Sequence, residues 1–207
     1  MSVPDEPDLD RPIGPDDHVL GPVSAPVTLL EFGDYQCPYC GAAYQELQIV
    51  QRHLGPDLRF GFRHFPLVDI HPNALPAAVA AEAADRQGQF WAMHDTLFAH
   101  QDDLSPPSLL TYASALGLDM ARFRRDTGDP AIIERIRTDI TSGLASGVPG
   151  TPTYFVNGYR YEGPDDAASL LTILQSVART PPGATVAIRG SAKGHRHKRS
   201  HPLPRVA

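Results

Sequence analysis

The stretch Cys37-Pro38-Tyr39-Cys40 holds the only two cysteines of the chain, separated by two residues. A cysteine at the start of a helix lies where backbone N–H groups have no helical partner, and their partial positive charge stabilises a thiolate. The pKa of such a thiol falls below the roughly 8.5 of a free cysteine, and the thiolate is the form that attacks disulfides. The spacing therefore predicts Cys37 as the attacking thiol and Cys40, one helical turn further on, as the thiol that resolves a mixed disulfide.

Two other interpretations of this cysteine pair remain open at this point. The cysteines can be half of a zinc site, but structural zinc takes four ligands and the chain has no second cysteine pair. The next histidines, His53 and His64, have no partner at the spacing of a zinc motif. The cysteines can also be buried and inert. A strand before the pair and a helix after it favour the redox interpretation, and no metal is expected.

The segments around the cysteines predict a strand, a helix and a second strand. Residues 26–33 are apolar on both faces, which is typical of a central strand covered on two sides. Residues 38–52 carry apolar side chains at helical spacing and are followed by Gly55-Pro56, a helix stop. Residues 58–65 predict the next strand. Because no tight hairpin separates the two strands, we expect them to be parallel, as in a βαβ unit.

The rest of the pattern predicts helices and then a hairpin. Residues 67–147 contain only helical signals, including two helix starts in which a capping residue precedes proline, Ser105-Pro106 and Asp129-Pro130. Residues 153–156 predict a strand again, and Asn157-Gly158 predicts a two-residue hairpin turn after it. The fold class expected is therefore α/β, with a helical subdomain inserted into the sheet-forming part.

The charge of the chain is concentrated at its ends. The net charge is −6, yet residues 1–20 hold six acids and one base, and residues 180–207 hold six bases and no acid. We expect a flexible acidic segment over residues 1–20, a domain over 21–180 and a basic, disordered tail over 181–207. A basic run is also typical of a nucleic-acid or metal-binding patch, but a solvated tail is favoured, and no nucleic-acid partner is expected.

The hydropathy of the chain and its first six residues predict where in the cell the protein is located. No apolar run approaches the 18 or more residues of a membrane span, and residues 1–6 lack the charge and apolar core of a secretory signal. These features predict a cytoplasmic protein without a membrane span. A disulfide in that compartment is more often transient and catalytic than structural.

Four stretches together resemble the bacterial DsbA-type thiol–disulfide oxidoreductases, which belong to the thioredoxin superfamily. They are residues 31–40, 62–67, 89–95 and 150–158, and the resemblance extends over roughly residues 20–180. It implies a thioredoxin fold with an inserted helical subdomain at about 67–147. One position differs, because the best-known oxidising members have histidine where this chain has Tyr39. Since Tyr39 carries no positive charge, the thiol of Cys37 is expected to be less acidified than in those members.

The resemblance also implies which residues bind substrate. Thr151-Pro152 matches a proline that follows a cis peptide bond in thioredoxin folds and lies against the active-site cysteines. The backbone beside that proline can pair with an extended substrate. Thr151, Pro152, Pro38 and Tyr39 are therefore the expected substrate-binding residues.

Glu31 matches an acid that lies six residues before the first cysteine of the family. A carboxyl group on a buried strand face has its pKa raised by desolvation, and it could accept the proton of Cys40 during resolution. The alternative is an acid at a solvated strand edge. Asp34 and Tyr35 are expected at the rim of the site, and His64 is interpreted as a hydrogen-bonded structural residue.

The function predicted from these features is that of a protein disulfide oxidoreductase acting on thiol- or disulfide-containing proteins. Pro-Tyr is also the dipeptide of glutaredoxins, whose potentials are roughly −200 to −230 mV, so electrons could flow either way. No cofactor is expected beyond the Cys37–Cys40 disulfide, with glutathione or a thioredoxin-type reductant as a candidate partner. The alternatives are a glutathione-dependent transferase or isomerase, a non-catalytic redox sensor, and a fused or companion domain of a membrane transporter.

Overall fold

The computed structural model describes residues 7–180, which form a five-stranded mixed sheet with seven α-helices. The strands, in chain order, are β1 (His18–Leu20), β2 (Val27–Gly33), β3 (Leu58–His64), β4 (Thr153–Val156) and β5 (Tyr159–Tyr161). The helices are α1 (Pro38–Leu54), α2 (Ala74–Asp85), α3 (Phe90–Ala99), α4 (Pro106–Ala115), α5 (Met120–Asp126), α6 (Pro130–Ala145) and α7 (Ala167–Ala178).

Strand β2 lies at the centre of the sheet, whose order is β1-β3-β2-β4-β5. It pairs in parallel with β3, as the βαβ prediction requires, and antiparallel with β4. Leu29 and Leu30 point to opposite faces of the sheet and are both almost completely buried. The apolar pattern on both faces thus predicted a central strand correctly, and this strand ends a few residues before the cysteine motif.

The helical subdomain consists of α2 to α6, inserted between β3 and β4. Its extent agrees with the predicted insertion over 67–147, although the short helix α5 was not anticipated. Helix α6 packs directly on the sheet, because Gly143 lies against the rings of Phe32 and Phe65. A Cβ atom at that glycine would lie 2.7 Å from the Phe65 ring, so a larger residue there would push the helix away from the sheet.

The N-terminal segment is ordered where it was expected to be flexible. Leu9 is buried, and β1 pairs antiparallel with β3 at the edge of the sheet. The fully buried guanidinium of Arg63 on β3 holds this segment by donating to both carboxylate oxygens of Asp17, at 2.8 and 2.9 Å, and to the carbonyl oxygens of Arg11 and Pro12. The prediction of a flexible segment is therefore wrong for residues 7–20, because a buried cation elsewhere in the chain needs these partners.

Other predictions concern the ends of the chain or the membrane. Residues 1–6 and the basic tail at 181–207 lie outside the described residues. Within residues 7–180, no helix combines the length and apolarity needed to cross a membrane.

Candidate active site

Cys37 lies at the N-terminus of α1, where it is the N-cap residue and Pro38 occupies the first turn. Its backbone N–H donates to the Asp34 carbonyl oxygen at 3.1 Å, which closes a turn between the end of β2 and the helix. Only 3% of Cys37 is exposed, and both cysteines are free thiols. The local sequence thus places one thiol at the positive end of a helix that is itself fixed to the central strand.

The surroundings of Cys37 favour its thiolate. Its pKa is lowered to about 6, chiefly by a hydrogen bond from the Cys40 thiol, which outweighs the opposing effect of burial. Thr151 and the backbone N–H groups of Tyr39 and Cys40 lower the pKa further. The Cys37 sulfur also lies 3.3 Å from the Thr151 carbonyl oxygen, to which the neutral thiol donates. Cys37 can therefore be mostly ionised at neutral pH although position 39 carries no charge.

Cys40 has the opposite environment. It is completely buried, and burial raises its pKa well above the ordinary value, with the hydrogen bond to Cys37 acting in the same direction. The backbone N–H of Asp34 lies 3.5 Å from its sulfur. One thiol is thus poised to attack, while the other stays protonated until a base removes its proton.

The Thr151–Pro152 peptide bond is cis, and both residues are half-buried beside Cys37. Pro38 and Tyr39 are exposed, and 57% of the Tyr39 residue is accessible. The four residues expected to bind substrate are therefore all at least partly accessible, and Thr151 lies directly beside the Cys37 sulfur. The buried Thr151 hydroxyl has no other hydrogen-bond partner within residues 7–180, so it is free to donate to the Cys37 thiolate and thereby lower the pKa of Cys37.

Glu31 lies in the middle of β2, opposite Phe62 of β3 and Tyr154 of β4. It is 2% exposed, and its Oε1 atom has no hydrogen-bond partner in the described part of the chain. Burial raises its pKa to about 8, with the negative charge of Cys37 as the next cause. The alternative of a solvated strand edge is wrong, because Glu31 lies on the central strand between β3 and β4 and is almost completely buried.

Asp34 and Tyr35 do not line the rim of the site. Both are buried, and the Tyr35 hydroxyl lies 3.1 Å from Nδ1 of His94 within the helical subdomain. Asp34 lies beneath the cysteines, where its carboxylate accepts hydrogen bonds from the backbone N–H groups of Gln36 and Leu67. The two residues therefore join the active-site turn to the inserted helices.

Gln101, which the sequence gave no reason to single out, also holds the active-site turn. Its side-chain amide donates to the carbonyl oxygens of Tyr35 and Cys37, both at 2.8 Å. It lies against Gly41, where an added Cβ would clash with it. A glycine inside a helix costs stability, so Gly41 within α1 indicates that another group packs closely against the helix there. This glycine was the one signal in the sequence that could have led to Gln101.

His18, His64 and Glu82 are the one group within residues 7–180 whose donor atoms could hold a metal ion, all lying within 4.8 Å of one another. Hydrogen bonding accounts for this arrangement, since Nε2 of His18 and Nε2 of His64 lie 2.7 and 2.9 Å from the same Glu82 oxygen. The two histidines hold the pKa of Glu82 far below its usual range in spite of its burial. The cluster fastens β1 and β3 to α2, and His64 has the structural role predicted for it.

Comparison with known proteins places this site in a family. The model of the family described as thioredoxin matches residues 14–176, so the chain belongs to that family. A thioredoxin-like oxidoreductase from Silicibacter pomeroyi is 30% identical, with 80% of this chain and 94% of that one covered at a TM-score of 0.71. BdbD from Bacillus subtilis, at 23% identity, has the same fold with a TM-score of 0.72 over 80% of this chain and 94% of its own. The fold is that of the DsbA-type thiol–disulfide oxidoreductases.

Curated relatives with higher identity are named as ion transporters. A Na⁺/H⁺ antiporter NhaA 3 from Salinispora tropica is 49% identical over 173 residues, which are 82% of this chain and 26% of that protein. A Na⁺/H⁺ antiporter NhaA 1 from a Mycobacterium species (strain KMS) is 44% identical over 171 residues, or 81% and 28% of the two chains. The chain therefore spans about a quarter of the length of these relatives.

Proposed function

We propose that this protein catalyses thiol–disulfide exchange with protein substrates through Cys37 and Cys40. The proposal rests on the difference between the two thiols of the motif. The pKa of Cys37 is lowered to about 6, so that its thiolate forms near neutral pH, while the pKa of Cys40 is raised well above its ordinary value. An exchange enzyme needs this asymmetry, because one sulfur must attack at once and the other only after a mixed disulfide has formed.

The proposed reaction balances without a further cofactor. The Cys37 thiolate attacks one sulfur of a substrate disulfide, so that one substrate thiolate leaves and a mixed disulfide forms. Cys40 then loses its proton to Glu31, whose raised pKa of about 8 suits a base working near neutral pH, and attacks the Cys37 sulfur. The second substrate thiol leaves, and Cys37–Cys40 has become a disulfide. Run in reverse, the same steps oxidise a substrate dithiol.

Substrate binding is proposed at Thr151, Pro152, Pro38 and Tyr39, where accessible surface surrounds a nearly buried sulfur. Because Tyr39 offers an exposed aromatic ring, an unfolded or extended protein segment fits this surface better than a charged small molecule. Glutathione or a thioredoxin-type protein is proposed as the partner that resets the redox state, and the chain is proposed to act in the cytoplasm.

The reduction potential of Cys37–Cys40 and turnover with insulin test this proposal together. The protein is equilibrated with glutathione buffers, and the fraction of disulfide is read after acid quenching and thiol labelling. A reversible couple with catalysed insulin reduction supports the proposal, and Cys37→Ser should abolish both. A reversible couple without any turnover would instead favour a redox sensor, and glutathione conjugation that survives Cys40→Ser would favour a transferase.

A second candidate function follows from the antiporter relatives, which match more than four-fifths of this chain. We infer that the protein can act as a companion domain of a Na⁺/H⁺ antiporter of that type. Membrane vesicles containing such an antiporter test this idea, with the protein added in its dithiol or disulfide form. A change in exchange rate that depends on the redox form supports the idea, and identical rates with both forms and without the protein would contradict it.

A further inference from the structure

His71 lies in the loop between β3 and α2 and is held against the active-site turn. Its Nδ1 atom is 2.7 Å from a carboxylate oxygen of Asp34, whose side chain is fully buried. The side chain of His71 is 15% exposed. The same loop is attached at two further points, since Leu67 N–H donates to Asp34 and Asn73 N–H donates to the side chain of Gln36. The histidine is therefore fixed in place and remains accessible to protons from solvent.

Asp34 links this histidine to the backbone of Cys37 and to the sulfur of Cys40. Its carboxylate binds His71, its carbonyl oxygen accepts the Cys37 N–H at 3.1 Å, and its own N–H lies 3.5 Å from the Cys40 sulfur. A buried carboxylate this close to Cys37 opposes formation of a thiolate unless a cation neutralises it. His71 is the group placed to supply that cation, because Tyr39, between the cysteines, carries no positive charge.

We propose that His71, held by Asp34, adds a positive charge that helps the Cys40 thiol and the helix terminus to stabilise the Cys37 thiolate. The inference rests on the proposed thiol–disulfide exchange at Cys37. The charges that act on His71 are those of Asp34, just after β2, and of Cys37, at the start of α1. Asp69, on the same loop as His71, is exposed. The pKa of His71 is raised by its hydrogen bond to Asp34 and, in addition, by the charge of Cys37.

The interaction must act in both directions, because the imidazolium and the thiolate stabilise each other. Oxidation to the Cys37–Cys40 disulfide removes the thiolate, so the pKa of His71 should fall in the oxidised protein. Reduction therefore takes up part of a proton at a residue outside the Cys-x-x-Cys motif. A histidine that only supports the loop would titrate identically in both redox states.

Two measurements on the whole protein test the proposal. The first follows the His71 imidazole by NMR against pH in the dithiol and disulfide forms, and a higher pKa in the dithiol form is expected. The second measures the pKa of Cys37 from thiolate absorbance and iodoacetamide alkylation in His71→Gln, which keeps a hydrogen-bonding side chain without the charge. An increase of about one pKa unit is expected, which lowers the thiolate fraction at pH 6 about fivefold.

Matched variants keep the result interpretable. His71→Lys retains a positive charge and should preserve the low pKa of Cys37, while His53→Gln, at the exposed far end of α1, should leave it unchanged. The proposal is overturned if His71→Gln alkylates like the parent protein, if His71→Lys behaves like His71→Gln, or if His71 titrates identically in both redox states. Neither measurement depends on turnover. If the protein had no exchange activity, the proposed function would be refuted, but the effect of His71 on the Cys37 pKa could still be measured.

Discussion

Replacing Cys40 tests how this protein stabilises a thiolate, because Cys40→Ala and Cys40→Ser both leave Cys37 as the only cysteine and only serine keeps a donor. The hydrogen bond from Cys40 is the largest cause of the lowered pKa of Cys37. A hydrogen bond to a charged group contributes about 1.5–3 kcal/mol, which corresponds to about one to two pKa units. Cys40→Ala should therefore raise the pKa of Cys37 from about 6 to about 7–8, and Cys40→Ser should hold it near 6.

The assay is the rate of iodoacetamide alkylation against pH, with the ultraviolet absorbance of the thiolate as an independent readout. At pH 7 the thiolate fraction should fall from about nine-tenths in Cys40→Ser to between about one-half and one-tenth in Cys40→Ala, so alkylation slows about two- to tenfold. Equal pKa values in the two variants would show that the helix terminus and Thr151 suffice, and that the hydrogen-bond argument is wrong. Circular dichroism of both variants serves as the folding control.

Three further predictions follow from the buried groups. The reduction potential should fall by about 59 mV per pH unit below the Cys37 pKa of about 6 and less steeply above it, approaching about 30 mV where Cys37 is ionised and His71 no longer takes up a proton on reduction; a constant slope in glutathione titrations would contradict this. Glu31→Gln should slow resolution of the mixed disulfide about 10²-fold or more in quenched-flow experiments without loss of folding, and unchanged rates across pH would exclude Glu31 as the base. Glu82→Gln should cost about 3–5 kcal/mol of unfolding free energy at pH 7 in urea, since His18 and His64 lose the negative charge of their shared buried partner. Because the pKa of Glu82 is depressed in the folded protein, the difference between parent and variant should shrink as the pH falls below the unfolded value of 4.5; a constant difference would argue against the ion pairs.

Local signals in the sequence were sufficient for the part of the fold that carries the cysteines. Apolar residues on both faces of β2, the proline in the first turn of α1 and the Asn157-Gly158 turn each depend on nearest neighbours along the chain. Strand β1 could not be found in this way, because its three residues follow an acidic, proline-rich stretch. The N-terminal segment is ordered because it supplies hydrogen-bond partners to the buried charge of Arg63, which lies more than 40 residues away in the chain. No local sequence pattern could predict that interaction.

The same distinction applies within the site. Cys37, Cys40 and the acid at position 31 could be recognised from one short stretch, and the structure brings all three into one electrostatic network. Gln101 and His71 reach the active-site turn only because two loops fold back over it. A lone glutamine or histidine in a loop has no periodicity, so its position could not be derived before the helical subdomain was placed on the sheet.

The attachment of the N-terminal segment to Arg63 determines where this domain can be cut or joined. A fragment beginning at residue 21, as the βαβ pattern suggests, would leave the guanidinium buried without Asp17 and without the two carbonyl oxygens. An unpaired buried charge costs about 3–5 kcal/mol, which is a large share of the stability of a domain this size. An excised or fused version should therefore retain the chain from Leu9 onward, so the unit that can be moved between proteins is longer than the unit that carries the chemistry.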